Sequence, residues 1–303
     1  MIAISKKSSL LAHPFLPWGI LLFLSLIWGL SFLFIKKIVI VLNPLELGAA
    51  RVFVAGLFLL PWAVKSFRNM PKEKLKYVAM SGFLGNMAPA FIYAWVGSKL
   101  NSGLAGTLNA TTPIFVMLIG LAFFATKITS KQILGILFGF LGSLLLVVSG
   151  NDGEINYANP FALLAMVATF MYGINVNIIN HFLKDVNPLA LTSVAFLIVG
   201  FLSFWVLPFT DFFQTILDPT HRDTLVYLLI LTGVNTAMAL VVFNYLIQMT
   251  SAVFASSVTY MMPVVAMFAG FMDGEVVSFN HLLGIAIILL GVYLINRKQK
   301  VSR

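Results

Sequence analysis

The chain alternates long apolar runs with short polar punctuation. Runs of about twenty apolar residues are long enough to cross a bilayer as helices. The pattern predicts ten of them: Pro17–Val41, Pro44–Lys65, Tyr77–Gly97, Gly103–Ala125, Gln132–Val148, Pro160–Phe182, Pro188–Pro208, Leu225–Gln248, Ser251–Met272 and His281–Ile295. Pro44, Pro160 and Pro188 stand at helix starts, where a missing N–H costs nothing. The connections are mostly short, so successive helices are expected to be antiparallel neighbours. The first apolar run is too long for a signal-peptide core and lacks a small-residue cleavage site, so it counts as the first span.

Basic residues set the direction. With the N-terminus inside, the cytoplasmic segments hold Lys6, Lys7, Lys65, Arg68, Lys72, Lys74, Lys76, Lys127, Lys131, Lys184, Arg297, Lys298, Lys300 and Arg303, fourteen of the nineteen Lys and Arg. The outer ends hold Lys36, Lys37, Lys99 and Arg222, and the outer loops carry Asp152, Glu154, Asp211, Asp218, Asp223, Asp273 and Glu275. The positive-inside rule then makes both termini cytoplasmic.

The pattern also repeats. Asn43-Pro44-Leu45 returns as Asn187-Pro188-Leu189, and Leu134-Gly135-Ile136 with Gly142 returns as Leu283-Gly284-Ile285 with Gly291, offsets of 144 and 149 residues. Between them, Trp28-Gly29 matches Tyr172-Gly173, Ser31 matches Asn175, Tyr77 matches Tyr227, Asn109 matches Thr259 and Pro113 matches Pro263. The boundary falls near Ser149–Asn159, giving repeats over 16–149 and 158–297 with five helices each. Five is odd, so the second copy enters the membrane in the opposite sense. The expected fold is an all-α integral membrane protein of ten transmembrane helices arranged as two inverted five-helix repeats, an arrangement that places a substrate path between the halves.

Composition agrees. The chain is 60% hydrophobic and 10% charged, with a mean hydropathy of +0.99, whereas soluble domains carry roughly a quarter charged residues. The net charge of +9 is a topology signal, because no soluble basic face exists to bind nucleic acid. The absence of cysteine removes disulfides, thiolate metal sites and a cysteine nucleophile.

Trp28-Gly29-Leu30-Ser31-Phe32, then Lys36, Pro44 and Arg51, resemble the opening of an EamA-type repeat. Pro263, Gly274-Glu275, Leu283-Gly284 and Gly291 resemble its end. The chain is thus similar to the ten-helix members of the drug/metabolite transporter superfamily over Leu16–Arg297. The resemblance implies inverted five-helix repeats around a central cavity, with alternating access for small metabolites. One position departs: Thr126 stands where the first repeat should match Glu275. A threonine cannot hold a charge pair, so no role of that carboxylate carries over to the first half.

Polar side chains inside spans are the informative minority. In the fourth span Ala105, Asn109, Thr112 and Val116 share a face by three-and-four spacing. In the ninth Ser256, Thr259, Tyr260 and Pro263 cluster similarly; the third carries a stripe of Asn86, Ala90, Tyr93 and Gly97; the eighth carries Asn235 and Asn244. Trp28 with Ser31 mirrors Tyr172 with Asn175. The candidate substrate-binding set is therefore Trp28, Ser31, Asn86, Tyr93, Asn109, Thr112, Tyr172, Asn175, Asn235, Asn244, Thr259 and Tyr260. Amides and hydroxyls suit a zwitterion or polar headgroup, and aromatic rings suit an apolar body or a cation. Each of these side chains also has a packing reading, since Asn, Ser and Thr glue membrane helices together. Arg51 lies roughly 10 Å into the second span at 1.5 Å per residue. Its permanent charge must face protein, water or a helix end. It reads either as a gate or anion contact or as a structural clasp onto backbone carbonyls, and Lys36 reads as snorkelling to the outer surface.

No Asp or Glu occupies the middle of a span, so proton coupling through a central acid is disfavoured, and facilitated transport or exchange fits better. The expected protein is a permease of a bacterial-type inner membrane. It moves a small polar metabolite, an amino-acid-like compound by preference and outward by preference. Import or exchange of nucleotide-like or sugar-phosphate metabolites is the alternative. An intramembrane enzyme lacks support: no HExxH motif occurs, and His13, His181, His221 and His281 lie at span ends or in loops. A scaffold would not need polar stripes in both halves. No cofactor or metal is called for, the partners are substrate and lipid, and the chain is expected to be a monomer or weak homodimer.

Overall fold

The computed structural model describes residues 15–100, 102–150, 160–272 and 279–296. Expectations that concern the two termini, the outer-loop acids Asp152, Glu154 and Asp273, Glu275, and most of the Ser149–Asn159 boundary lie outside the described residues. Among the described residues the fold is all helix: α1 Leu16–Ile38, α2 Pro44–Asn69, α3 Lys72–Gly82, α4 Ala88–Lys99, α5 Ser102–Asn109, α6 Thr112–Phe123, α7 Ser130–Gly150, α8 Pro160–Phe182, α9 Pro188–Phe204, α10 Phe212–Leu217, α11 Arg222–Thr232, α12 Ala239–Met249, α13 Ala252–Ser256, α14 Val258–Met272 and α15 Phe279–Asn296. The stretches long and apolar enough to cross a membrane by length and composition are α1, α2, α8, Pro188–Phe209 and Pro219–Met249. Shorter apolar helices cover Thr112–Phe123, Ser130–Leu145, Ala252–Val265 and Leu282–Ile295. Phe58, Trp62, Phe201, Trp205, Leu163 and Tyr293 stand exposed on the outside, a surface suited to lipid and not to water.

The helix starts follow from the repeated Asn-Pro. Asn43 and Glu46 form a reciprocal capping box at the head of α2. Asn187 accepts from the backbone N–H groups of Leu189 and Ala190 at the head of α9. In both cases an asparagine oxygen satisfies first-turn donors that the helix leaves open, and the proline that follows has no donor to satisfy.

Four of the expected spans are broken inside. The third is α3 and α4 joined by a π turn, Phe83–Met87; the eighth is α11 and α12 joined by another, Gly233–Met238. The turns lie 150 residues apart, the offset of Tyr77 and Tyr227. Pro89 has no N–H to return to the carbonyl of Gly85, which explains loosening at the first turn. Each wide turn frees the carbonyl five residues back for a side chain: Asn86 Nδ2 donates to the Ser81 carbonyl at 3.4 Å, and Thr236 Oγ1 donates to the Leu231 carbonyl at 2.7 Å. The fourth span divides between α5 and α6, ahead of Pro113. There Thr112 Oγ1 caps the Asn109 carbonyl that the proline cannot reach, at 2.7 Å. The ninth divides at Ser257, whose hydroxyl donates to the Phe254 carbonyl.

The packing pattern exchanges the halves. α1 lies against α14, α11 and α12, as α8 lies against α6, α3 and α4. α2 pairs with α9, and α7 with α15. These last two seams are reciprocal. A Cβ on Gly56 would meet the Phe196 carbonyl at 3.1 Å, and a Cβ on Gly200 would meet the Val52 carbonyl at 3.5 Å. Gly56 and Gly200 are 144 residues apart, as are Val52 and Phe196. A Cβ on Gly135 would stand 2.6 Å from the Gly291 carbonyl, and one on Gly142 would stand 2.8 Å from the Gly284 carbonyl. The repeated glycines are therefore where two antiparallel backbones touch.

Candidate functional site

The helix breaks converge on one cavity of about 100 Å³ between the halves. α1 contributes Trp28, Ser31 and Phe32; α2 contributes Arg51; the two π turns contribute Gly85 and Asn86, and Asn235 and Thr236. Tyr93 comes from α4, Asn109 and Thr112 from the α5–α6 break, Tyr172 and Asn175 from α8, Phe243 from α12, and Ser256, Thr259 and Met262 from α13 and α14.

Several of the expected contacts are already committed within the protein. Trp28 Nε1 donates to the Asn235 carbonyl at 2.9 Å, and Asn235 Nδ2 donates to the Ile27 carbonyl at 2.6 Å, so the two form a reciprocal clasp between α1 and the second π turn. Trp28 also meets Phe243 edge-on at 5.0 Å. Ser31 donates to the Trp28 carbonyl of its own helix, and Thr259 donates across the α13–α14 break to the Ser256 carbonyl. Tyr93 donates its hydroxyl to Asn109 Oδ1 at 3.0 Å and stacks on Tyr172 with centroids 6.2 Å apart. Asn109 Nδ2 reaches Met262 Sδ at 3.4 Å. These bonds fix the walls, and the exposed ring faces remain as apolar lining.

Other groups are uncommitted. Among the described residues, the buried side-chain N and O atoms with no hydrogen-bond partner are Asn86 Oδ1, Asn175 Oδ1 and Ser203 Oγ. Two of these three belong to residues lining the cavity. A buried amide oxygen without a partner is costly, so each of these is an acceptor left unmatched inside the fold.

Arg51 departs from the clasp expectation. Its Nε donates to Thr236 Oγ1 at 3.1 Å, a hydroxyl and not a carbonyl. The one ion pair among the described residues is Lys74–Asp185, so no described carboxylate lies within bridging distance of the guanidinium. The reason is the second π turn, which turns Thr236 toward α2 and anchors it on the Leu231 carbonyl. Lys36 is exposed at the end of α1 and lies off the cavity.

Two expected residues lie elsewhere. Tyr260 is fully buried, with its ring on Gly139 and its hydroxyl donating to the Ile136 carbonyl of α7 at 2.9 Å. It joins α14 to α7 and does not face the cavity: on α14 it stands one residue on from Thr259, roughly 100° around the helix from the side chain that does line it. Asn244 donates to Thr192 Oγ1 at 2.9 Å and lines a small neighbouring void of about 10 Å³, which it shares with Asn86 and Asn175. Thr236, Phe243 and Met262 line the cavity and were not among the sequence candidates. The repeat offset could have found Thr236, since it stands 150 residues after Asn86.

The family model for the EamA-like transporter family matches residues 17–148 and again 159–297. An uncharacterised transporter of Archaeoglobus fulgidus is 26% identical over 93% of this chain and 99% of its own length. A Salmonella typhimurium protein described as a "probable amino-acid metabolite efflux pump" is 24% identical over 88% of this chain and 90% of its own. An uncharacterised inner membrane transporter of Escherichia coli K12 is 25% identical over 92% and 90%. One crystal structure superposes with a TM-score of 0.67 at 15% identity, covering 90% of this chain and 94% of that one, a likeness of fold.

Proposed function

The chain belongs to the EamA-like transporter family, and from that premise we propose that it is an alternating-access carrier built of ten transmembrane helices in two inverted repeats, 16–149 and 158–297. Its cargo is a small polar metabolite, amino-acid-like by preference, and the favoured direction is export. The observation that carries this reading is the cavity between the halves, to which both repeats supply equivalent positions: Trp28 and Tyr172, Ser31 and Asn175, Asn86 and Thr236, Asn109 and Thr259. Inverted-repeat carriers place their site at such a seam. The reciprocal glycine contacts of α2 with α9 and of α7 with α15 support the inverted arrangement. Amino-acid export is supported by the description of the Salmonella relative. Both termini are cytoplasmic in this reading. Without a described carboxylate lining the cavity, transport is facilitated or proceeds by exchange.

The test is flux in proteoliposomes. Saturable uptake accelerated by substrate on the far side is expected for a carrier. Flux that rises linearly with concentration and ignores the far side would instead indicate a channel and sink the proposal.

A further inference from the structure

α9 stops short of its counterpart. In the first half α2 runs on to Asn69, but Pro208 stands 144 residues after Val64 of α2 and has no N–H to return to the carbonyl of Phe204, the last residue of α9. The 17 residues of α9 rise about 26 Å at 1.5 Å each, a little less than a hydrocarbon core of about 30 Å. The end of α9 therefore falls at the edge of the apolar layer, and the chain runs on from there to α11. Thr210 Oγ1 donates to the Leu207 carbonyl at 2.9 Å, and His221 Nδ1 lies 2.9 Å from the Thr215 carbonyl. Leu207, Phe212 and Ile216 are buried in one cluster with Ile38 of α1, Leu47 of α2 and Leu228 of α11. The same backbone holds Trp205, Phe209, Phe213 and Leu217 outward, one every four residues, with Phe209 85% and Leu217 74% exposed. Around α10, at about 100° per residue, three faces follow in turn. Phe212 and Ile216 face the bundle, Phe213 and Leu217 form an open apolar side, and Gln214 and Asp218 form an open polar one. The apolar side continues the lipid-facing surface of Phe201 and Trp205 without a break in spacing.

We propose that the segment 205–217 is an interfacial anchor lying along the membrane surface. Trp205, Phe209, Phe213 and Leu217 sit between the lipid headgroups and the first methylenes, and Gln214 and Asp218 stay in water. The lipid it fits is zwitterionic. Between 205 and 218 the chain holds Asp211 and Asp218 and no Lys or Arg, so anionic headgroups offer it no attraction. In the orientation proposed above, the anchor rests on the outer leaflet. Through Leu207, Phe212 and Ile216 it grips the end of the bundle where α1 meets α2. The first half has no counterpart, because α2 and α3 are separated there by Met70 and Pro71 alone.

The test reads depth residue by residue. The chain has no cysteine, so Phe213→Cys, Gln214→Cys, Leu217→Cys and Asp218→Cys each give a single site for a nitroxide label. All four positions are exposed, so the label replaces no core contact. The full chain is reconstituted in phosphatidylcholine vesicles. Collision of each label is measured with oxygen, which concentrates in lipid, and with a water-soluble nickel chelate. Labels at 213 and 217 should meet the chelate about tenfold less often than those at 214 and 218, and should meet oxygen more often. Replacing part of the phosphatidylcholine by phosphatidylglycerol should leave that contrast unchanged. Equal collision with the chelate at all four positions overturns the proposal, since the segment would then stand in water. A contrast that appears only with phosphatidylglycerol present also overturns it, because attraction to charge would then be holding the segment down.

Discussion

The two ends of the cavity are built from equivalent stretches of chain and fastened unequally. At one end, the α8–α9 connection is held from both sides. Lys74 of α3 donates to the Phe182 carbonyl at 2.7 Å and pairs with Asp185 at 2.8 Å, while Gln248 of α12 donates to the Val186 carbonyl at 2.7 Å. Tyr77 lies flat on Phe182, with centroids 4.1 Å apart and planes 7° off parallel. At the other end, the α1–α2 connection meets Tyr227, the counterpart of Tyr77. There Lys37 reaches the Tyr227 hydroxyl at 3.4 Å, and Phe34 tilts 33° from its ring at 5.9 Å. With both termini cytoplasmic, as proposed, the latched end is the inner one. In the proposed carrier, these side chains would hold the inner end shut and leave the outer end the looser of the two.

The strongest way to break this comparison is to separate the seam that both ends share. Gly142→Leu drives a side chain into the Gly284 carbonyl, where even a Cβ would stand at 2.8 Å. Backbone against backbone leaves no flexible neighbour to yield, so a cost of about 3 kcal/mol is expected. Loss of the monodisperse peak in size exclusion is the readout, and an unchanged melting temperature would show that α7 and α15 do not meet this way.

Next is release of the latch. The chain has no cysteine, so Thr112→Cys gives a single reporter in the cavity. Lys74→Ala with Gln248→Ala should raise its labelling by an impermeant maleimide from the latched side by about tenfold, from the loss of several hydrogen bonds. Equal rates before and after would mean that this end is not the closed gate.

Asp185→Asn should do less, about two- to threefold, because the carboxylate is largely exposed and such pairs are weak. The hydrogen bond from Lys74 holds the Asp185 carboxyl below the ordinary aspartate value. Its contribution is therefore complete above that ordinary value and is lost as pH falls through the lowered one. Accessibility in the unaltered latch, read as the labelling rate divided by that of a free thiol at the same pH, should be flat from pH 8 to about 5 and rise only in stronger acid. A rise near neutrality would implicate another group. The smallest effect is expected from Tyr227→Phe at the loose end, less than about twofold by the same assay, since a 3.4 Å contact on an exposed lysine holds little.

Much of this was legible in the chain itself. Pro44, Pro160 and Pro188 open α2, α8 and α9 as the sequence predicts, and the duplicated glycines mark backbone contact. Three kinds of detail were hidden. Hydropathy has no term for a π turn, so the breaks that aim Asn86, Asn235 and Thr236 left no trace in the apolar pattern. In a helix apolar on every side, spacing names a face without saying what it faces, which is how Tyr260 was assigned to the cavity and not to α7. Arg51 could be placed in a span by counting, but its partner Thr236 is 185 residues away and reached only through the folded turn.

The most extensive helix pairings, α7 with α15, α2 with α9, α6 with α8 and α1 with α14, all join one half to the other. That interleaving constrains how the protein is made. When α1 to α7 have left the ribosome, these principal packing partners have not yet been synthesised. The surface that Gly135 and Gly142 present has no second face to close against until α15 is made.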